Sequence, residues 1–294
     1  MKISIIVPAY NEAVNIPFLV EEFDKFIKKH KDYEVILVDD GSEDGTSEIA
    51  KEHKRPYLKV IKHKRNLGKT GAILSGTKAA RGNILVIFDA DLQFDPNDIP
   101  KLVKLIADGA DIATGWKQGH YEKKFVSGIY NFWARRLFQL NIHDMNSIKA
   151  LKKEVVETIP LRKDWHRYIV PLAKEEGFKI AEVRVKLRPR KYGTPKYQQK
   201  SRILIGLFDL MAVKFLLTFI KKPLLYFGSI GLFSVAIGVL VGLISIFLRL
   251  FGRGYRPLLY LVMLLVVVGI VFFALALIGE SNRAILDQLE KRKS

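Results

Sequence analysis

The 294-residue chain contains no cysteine, which excludes disulfides, thiolate metal sites and cysteine nucleophiles. Its 6 histidines lack the spacing of a zinc site. Acidic residues are outnumbered, 30 against 48 lysines and arginines, and the formal charge of +18 favours an anionic partner. Charge is missing altogether from residues 223–248 and 257–279, each longer than the roughly 20 residues that cross a bilayer. Two transmembrane helices are expected in preference to two core helices, because a soluble core rarely needs neighbouring uncharged runs of this length. With spans present, anionic lipid and phosphorylated substrates are better partners than nucleic acid, and no nucleic-acid partner is expected.

Two motifs are also missing. The first apolar run, residues 3–7, leads into Pro8-Ala9-Tyr10-Asn11-Glu12 and not into G-x-G-x-x-G, which argues against a dinucleotide fold. Gly68-Lys69-Thr70 resembles the end of a P-loop, but His63 stands where the first glycine belongs. An ATPase is therefore not expected, although Lys69 can still contact a phosphate. Met1-Lys2 runs directly into the first strand without a leader pattern, so the large N-terminal part is expected to stay in the cytoplasm.

What is present alternates. Residues 3–7, 34–38, 58–61 and 84–88 read as strands with amphipathic segments between them, the signature of an α/β domain with a largely parallel sheet. Ligands bind such sheets beyond the carboxyl ends of the strands. Tyr10-Asn11-Glu12, Asp39-Asp40-Gly41-Ser42 and Asp89-Ala90-Asp91 each follow a strand end and are expected to converge on one cleft.

Asp89 and Asp91, one small residue apart past a buried strand, can reach one divalent ion, with Gln93 as a further contact. Asp39 and Asp40 can accept hydrogen bonds from a base or ribose, or serve with Ser42 and Asp44 as ordinary helix-capping chemistry. Residues 122–140 place Phe125, Ile129, Phe132, Trp133, Leu137 and Leu140 at helical spacing, with basic residues elsewhere. That pattern suits a helix in the membrane interface or one packed on the domain's own core. A basic-aromatic zone at 188–202 and an amphipathic run at 203–222 lead into the first span.

Lys214, Lys221, Lys222, Arg283, Lys291, Arg292 and Lys293 flank the two spans, against Arg249, Arg253 and Arg256 in the loop joining them. The bias predicts a multi-pass membrane protein with its catalytic domain and both termini in the cytoplasm. Gly228, Gly231, Gly238 and Gly242 put small residues on one span, and association between chains through them is an expectation.

The series Pro8-Ala9-Tyr10-Asn11-Glu12, Val38-Asp39-Asp40-Gly41-Ser42, Asn66-Leu67-Gly68-Lys69 and Asp89-Ala90-Asp91-Leu92-Gln93 resembles glycosyltransferase family 2, in particular its polyprenyl- and dolichyl-phosphate sugar synthases. The resemblance covers roughly residues 1–200. It implies a GT-A fold, a Mg²⁺ or Mn²⁺ ion, an inverting reaction and an isoprenoid lipid phosphate as acceptor. By the same resemblance Pro8, Tyr10, Glu12 and Asp39 line the nucleotide-sugar, joined by Asp40, Lys69 and Asp89, while Asp89, Asp91 and Gln93 surround metal and diphosphate.

Asp144-Met145-Asn146-Ser147 resembles the family segment beside donor sugar and acceptor, but Ile148-Lys149 stand where members commonly carry glycine and an aromatic. His166, Arg167, Arg190 and Lys196 also resemble family positions near the lipid phosphate, with Asn131, Arg135 and Ser147 as further candidates. A phosphate monoester is already largely ionised near neutral pH, so no strong general base is required.

These readings divide the chain into a catalytic domain at 1–200, a juxtamembrane helix at 201–222, a transmembrane hairpin at 223–280 and a basic tail at 281–294. UDP-glucose is slightly favoured as donor, with GDP-mannose close behind. Rival functions are a transferase extending a membrane polysaccharide and a non-catalytic scaffold that binds nucleotide-sugar.

Overall fold

The computed structural model describes residues 2–119, 124–189, 202–219 and 222–291. The chain divides into two compact units, Met1–Leu207 and Phe208–Ser294. The first unit is built on seven strands: β1 (Ile3–Ala9), β2 (Tyr33–Asp39), β3 (Leu58–Lys62), β4 (Ile84–Ile87), β5 (Ile112–Gln118), β6 (Lys149–Lys152) and β7 (Ile180–Lys186). Helices α1 (Ile16–Ile27), α2 (Thr46–Glu52), α3 (Gly68–Ala79), α4 (Ile99–Ala107), α5 (Lys124–Phe138), α6 (Lys153–Thr158) and α7 (Ile169–Glu175) fall between or beside them. Helix α8 (Arg202–Phe219) follows, then α9 (Ser229–Leu250) and α10 (Pro257–Lys291).

The strands lie in the order β3-β2-β1-β4-β6-β5-β7. β1 pairs in parallel with β2 and β4, and β2 with β3. Ile5, Ile6, Val7, Val35, Ile36, Leu37 and Val86 are buried completely or nearly so, because a parallel sheet covered on both faces takes continuous apolar runs. Helix α1 starts behind Asn15 with a proline in its first turn, and turns Ile16, Leu19, Val20, Phe23 and Phe26 inward at helical spacing. Phe23 meets Phe88 edge to face at 5.4 Å, tying α1 to the loop after β4.

Beyond β4 the sheet changes direction. β6 runs antiparallel to both β4 and β5, with Lys149 opposite Ile87 on one side and Thr114 on the other. The four strands read from the sequence are thus the parallel half of a seven-stranded sheet, and the segment after Asp144 returns along β4 before β7 pairs with β5.

Helix α5 divides the face expected of it. Ala134 and Phe138 are buried, and so is Leu140 just beyond the helix, whereas Phe132 and Trp133 stand about half exposed. Ile129 and Leu137 of the expected face are half-buried. The side chain of Phe125 lies outside the described ones.

In the second unit, Leu224–Leu250 and Pro257–Ile285 are long and apolar enough to cross a membrane, with mean hydropathies of 2.6 and 3.3. Only 17% and 11% of their most apolar windows are buried, which is unlike the core helices of a soluble protein. The hairpin closes on glycine: a Cβ at Gly231 would stand 2.6 Å from the Gly269 carbonyl, and one at Gly269 2.7 Å from the Gly231 carbonyl. Ser234 Oγ donates to the Leu265 carbonyl at 2.8 Å beside this approach. Gly231 and Gly269 thus bring the two helices together within this chain. Gly238 meets Leu265 and Val266, and Gly242 has only Val262 near it.

Gly231→Val is expected to force α9 and α10 apart at backbone contact, a cost of about 1–3 kcal/mol. A fall of several degrees in thermal unfolding in detergent checks this, with Gly242→Val as the milder control. Equal melting of the two variants would contradict it.

Candidate functional site

Parallel pairing puts the loops after β1, β2 and β4 on one edge of the sheet, and their backbones stay registered beyond the strands. Asp40 N donates to the Ala9 carbonyl at 2.8 Å, and Phe88 N to the Ile6 carbonyl at 3.0 Å. Side chains then stitch the first two loops together. Ser42 Oγ accepts from Asn11 N at 2.8 Å, Thr46 Oγ1 from Glu12 N at 2.9 Å, and Asp44 Oδ2 from Ala13 N at 3.0 Å. Asn11 sits at φ +50°, turning the chain so that Tyr10 is 38% exposed at the rim while Pro8 is half-buried. The carboxylate of Glu12 accepts from Asn15 Nδ2 at 2.5 Å.

Asp39 and Asp40 separate into different roles. Asp39 is fully buried; its Oδ1 accepts from Ser42 N at 2.9 Å, while Oδ2 has no hydrogen-bond partner among the described residues. A buried carboxylate oxygen left this way is costly unless something donates to it. Asp40 makes contacts within the fold. Its Oδ1 bonds His63 Nδ1 at 2.7 Å and accepts from Leu67 N at 2.9 Å, while His63 Nε2 bonds Ser75 Oγ at 2.9 Å. That chain fastens the ends of β2 and β3 to α3.

Past β4 the burial alternates. Phe88, Ala90, Leu92 and Phe94 are buried, whereas Asp89, Asp91, Gln93 and Asp95 are half-buried on the open side. Leu92 at φ +60° bends the loop, and Asp91 Oδ1 accepts from Gln93 N at 3.2 Å. The ammonium of Lys69, just inside the start of α3, pairs with Asp89 Oδ1. Burial alone would raise the Asp89 pKa, but Lys69, with Lys149 nearby, holds it below the usual carboxylate range. Among the described residues no group of three His, Cys, Asp or Glu side chains is placed to hold a metal ion, so Asp89 and Asp91 are a pair of carboxylates and not a closed cage.

Arg188 carries a role the sequence left unassigned. Its backbone N donates to the Gln93 carbonyl at 2.8 Å, and its guanidinium bridges Asp95 and Glu22 of α1, the latter at 2.8 Å. The carboxylate loop is thereby clamped between α1 and the segment after β7.

Cations gather on the other flank. Lys149 is buried, donates to the Ser147 carbonyl at 2.9 Å, and has its pKa lowered to about 8 by burial and by the neighbouring Lys69, against the pull of Asp89 and Asp144. Lys117 pairs with buried Asp144 at 3.1 Å. Ser147 Oγ is buried without a partner among the described residues. His166 donates its backbone N to Thr70 Oγ1 at 3.0 Å. Its ring is held neutral, the pKa pushed down to about 3 by burial and then by Lys69 and Arg167, and its Nδ1 is also without a partner.

Asn131 Oδ1 accepts from Met145 N at 3.4 Å, so this residue braces the 144–147 loop. Arg135 keeps a buried Nε without a hydrogen-bond partner among the described residues, and Arg167 is exposed. Arg190 and Lys196, expected at the acceptor phosphate, lie outside the described residues. Lys149 and Arg188 are the residues that sequence reasoning passed over. The signal for Lys149 was its departure from the family pattern, and Arg188 was read only as part of a basic zone.

Residues 4–156 match the family description "Glycosyl transferase family 2". The chain is 30% identical to dodecaprenyl-phosphate galacturonate synthase from Rhizobium johnstonii, over 95% of this chain and 87% of that protein. It is 29% identical to undecaprenyl-phosphate 4-deoxy-4-formamido-L-arabinose transferase from Photorhabdus laumondii, over 99% and 91% of the two chains. Among solved structures it is similar to glucosyl-3-phosphoglycerate synthase from Mycobacterium tuberculosis in complex with Mn²⁺, UDP and glucosyl-3-phosphoglycerate. That likeness has a TM-score of 0.57 at 18% identity, over 73% of this chain and 78% of that one. The same fold, the family match over more than half of the chain and relatives aligned nearly end to end agree: the chain belongs to glycosyltransferase family 2, and these relatives are polyprenyl-phosphate sugar transferases.

Proposed function

We propose that the protein is a membrane-anchored glycosyltransferase that moves one sugar from a nucleotide-sugar to a polyprenyl phosphate. The observation that carries this reading is the pairing of two features on one sheet edge. Asp39 offers a buried carboxylate oxygen without a hydrogen-bond partner among the described residues at the end of β2, and Asp89 and Asp91 place two half-buried carboxylates past the end of β4. A base or ribose donating to Asp39 would direct its diphosphate along the edge toward Asp89.

The residues fit a divalent cation in one respect the fold itself supplies: Asp89 has already drawn a cationic group, the Lys69 ammonium, onto its carboxylate. Asp89 and Asp91 would hold Mg²⁺ or Mn²⁺ with Gln93 nearby, the diphosphate and water completing the shell. A bound ion supplies charge neutralisation for the leaving diphosphate. Lys69, once exchanged from Asp89, is free to reach the same phosphates.

The acceptor phosphate oxygen attacks the anomeric carbon, the bond from that carbon to the diphosphate breaks, and the electron pair leaves with the nucleoside diphosphate. Arg135, Arg167 and the unpartnered Ser147 Oγ are the described candidates for positioning the acceptor, with Arg190 and Lys196 beyond them. The neutral ring of His166 suits a hydrogen-bonding role in this reading and not a charge. UDP is the favoured nucleotide, in keeping with the M. tuberculosis complexes. The sugars named for the relatives, galacturonate and a formamido-arabinose, draw the donor away from plain glucose or mannose. The charge bias at the span ends supports a cytoplasmic catalytic unit.

Incubating the protein in membranes with labelled nucleotide-sugar and polyprenyl phosphate is expected to give an organic-extractable product bearing a single sugar. A water-soluble polymer, or tight donor binding without consumption, would contradict the reading. Asp91→Asn, and separately chelation of divalent ions, should each lower turnover by at least about 100-fold; near-normal turnover with saturating metal would remove Asp91 from the site. Asp39→Ala should weaken nucleoside diphosphate binding on the order of tenfold or more in calorimetry, because it removes a buried acceptor. Unchanged affinity would detach the nucleotide from Asp39.

A further inference from the structure

Lys149 opens β6 and lies opposite Ile87, two residues before Asp89, and opposite Thr114 of β5. Its side chain is in the interior of the unit, at 6% exposure. An ammonium carries three N–H donors. Among the described residues one is taken, by the Ser147 carbonyl at 2.9 Å, and no carboxylate lies within ion-pair distance. The carboxylates that act on it are already engaged, Asp89 by Lys69 and Asp144 by Lys117. Lys149 is thus a buried cation wedged between two completed ion pairs. Such a charge is costly unless something brings an anion to it.

The chemistry makes the position harder to explain without a ligand. As the bond to the diphosphate breaks, the sugar ring gains oxocarbenium character, and a bare cation beside it opposes that change. The diphosphate has the Asp89–Asp91 pair with its cation, and the acceptor phosphate has Arg135 and Arg167 as candidates. What Lys149 adds is a buried cation whose charge acts on Asp89, the carboxylate that the transferase reading puts beside the donor's diphosphate. Resting on the transferase reading above, we propose that Lys149 is a specificity residue that binds a carboxylate carried by the donor sugar, so that the donor class is a nucleotide-linked uronic acid. The carboxylate would take the free ammonium donors as charge-assisted hydrogen bonds and cancel the charge facing the ring.

The test uses the full chain in detergent with a short polyprenyl phosphate and Mn²⁺. Donors are given as matched pairs: UDP-glucose and UDP-glucuronate, UDP-galactose and UDP-galacturonate, GDP-mannose and GDP-mannuronate. The wild type is expected to prefer the uronate of its pair by at least about tenfold in kcat/KM, chiefly through KM. Lys149→Met, which keeps the aliphatic stem, should abolish that preference, with the larger loss of kcat/KM falling on the uronate of each pair. Lys149→Arg should restore it. Thermal shifts with UDP and Mn²⁺ report folding of each variant, and Lys149→Gln serves if Lys149→Met does not fold.

Transfer of neutral sugar as readily as uronate overturns the proposal. So does an equal loss with both members of a pair in Lys149→Met, which would assign Lys149 to a phosphate instead. Both outcomes leave the transferase reading intact. Failure to transfer from any of the six donors, with nucleotide still bound, overturns that reading and the proposal with it.

Discussion

The parallel pairing of β1 with β2 and with β4 is the constraint on which the rest of the site depends. Strands covered on both faces cannot carry unpaired carboxylates along their length, so the acidic residues lie where the strands end and backbone N–H groups or water reach them. Because the three strands point the same way, those ends share one edge. The loops are then fixed by hydrogen bonds between them, Ser42 to Asn11 and Thr46 to Glu12, and by the Arg188 bridge that pins the Asp95 end of the carboxylate loop to α1. Order in the site follows from order in the sheet.

Electrostatics give the edge its polarity. Asp39 and the Asp89–Asp91 pair supply acceptor and anion on one side, while Lys69, Lys117 and Lys149 crowd the flank made by α3, β5 and β6. The cations hold the Asp89 pKa down against burial, while burial, reinforced by the same cations, holds the His166 ring neutral. In the proposed reading, a ligand that is itself an anion strung between a base and a sugar would follow that division, with its base at Asp39, its phosphates at Asp89 and its sugar toward Lys149.

The sequence was legible where one physical signal dominated. The parallel half of the sheet announced itself because buried strands need uninterrupted Val, Ile and Leu, and the membrane helices because a bilayer tolerates no charge. β6 escaped notice: Lys149, Ala150, Leu151 and Lys152 form four residues with a lysine at each end, and an antiparallel strand that short has no periodicity to read. Asp39 and Asp40 looked alike as neighbours in sequence. Only the fold separates the one with an unclaimed oxygen from the one that fastens His63 and α3. Arg188 was grouped with the basic run that follows it, since nothing local reveals a partner 166 residues earlier in the chain. The glycines of α9 were legible as a packing face, and the fold shows Gly231 and Gly238 meeting α10, which a small-residue stripe alone does not specify.

The most direct measurement is a structure of the protein with UDP and Mn²⁺, with anomalous scattering used to locate the metal. An anomalous peak bridging Asp89, Asp91 and the diphosphate is predicted, with the Lys69 ammonium displaced from Asp89 and a donor of the nucleoside on Asp39 Oδ2. A nucleotide bound away from this edge, or one bound here with Lys69 still on Asp89 and no metal at the carboxylates, would contradict the account.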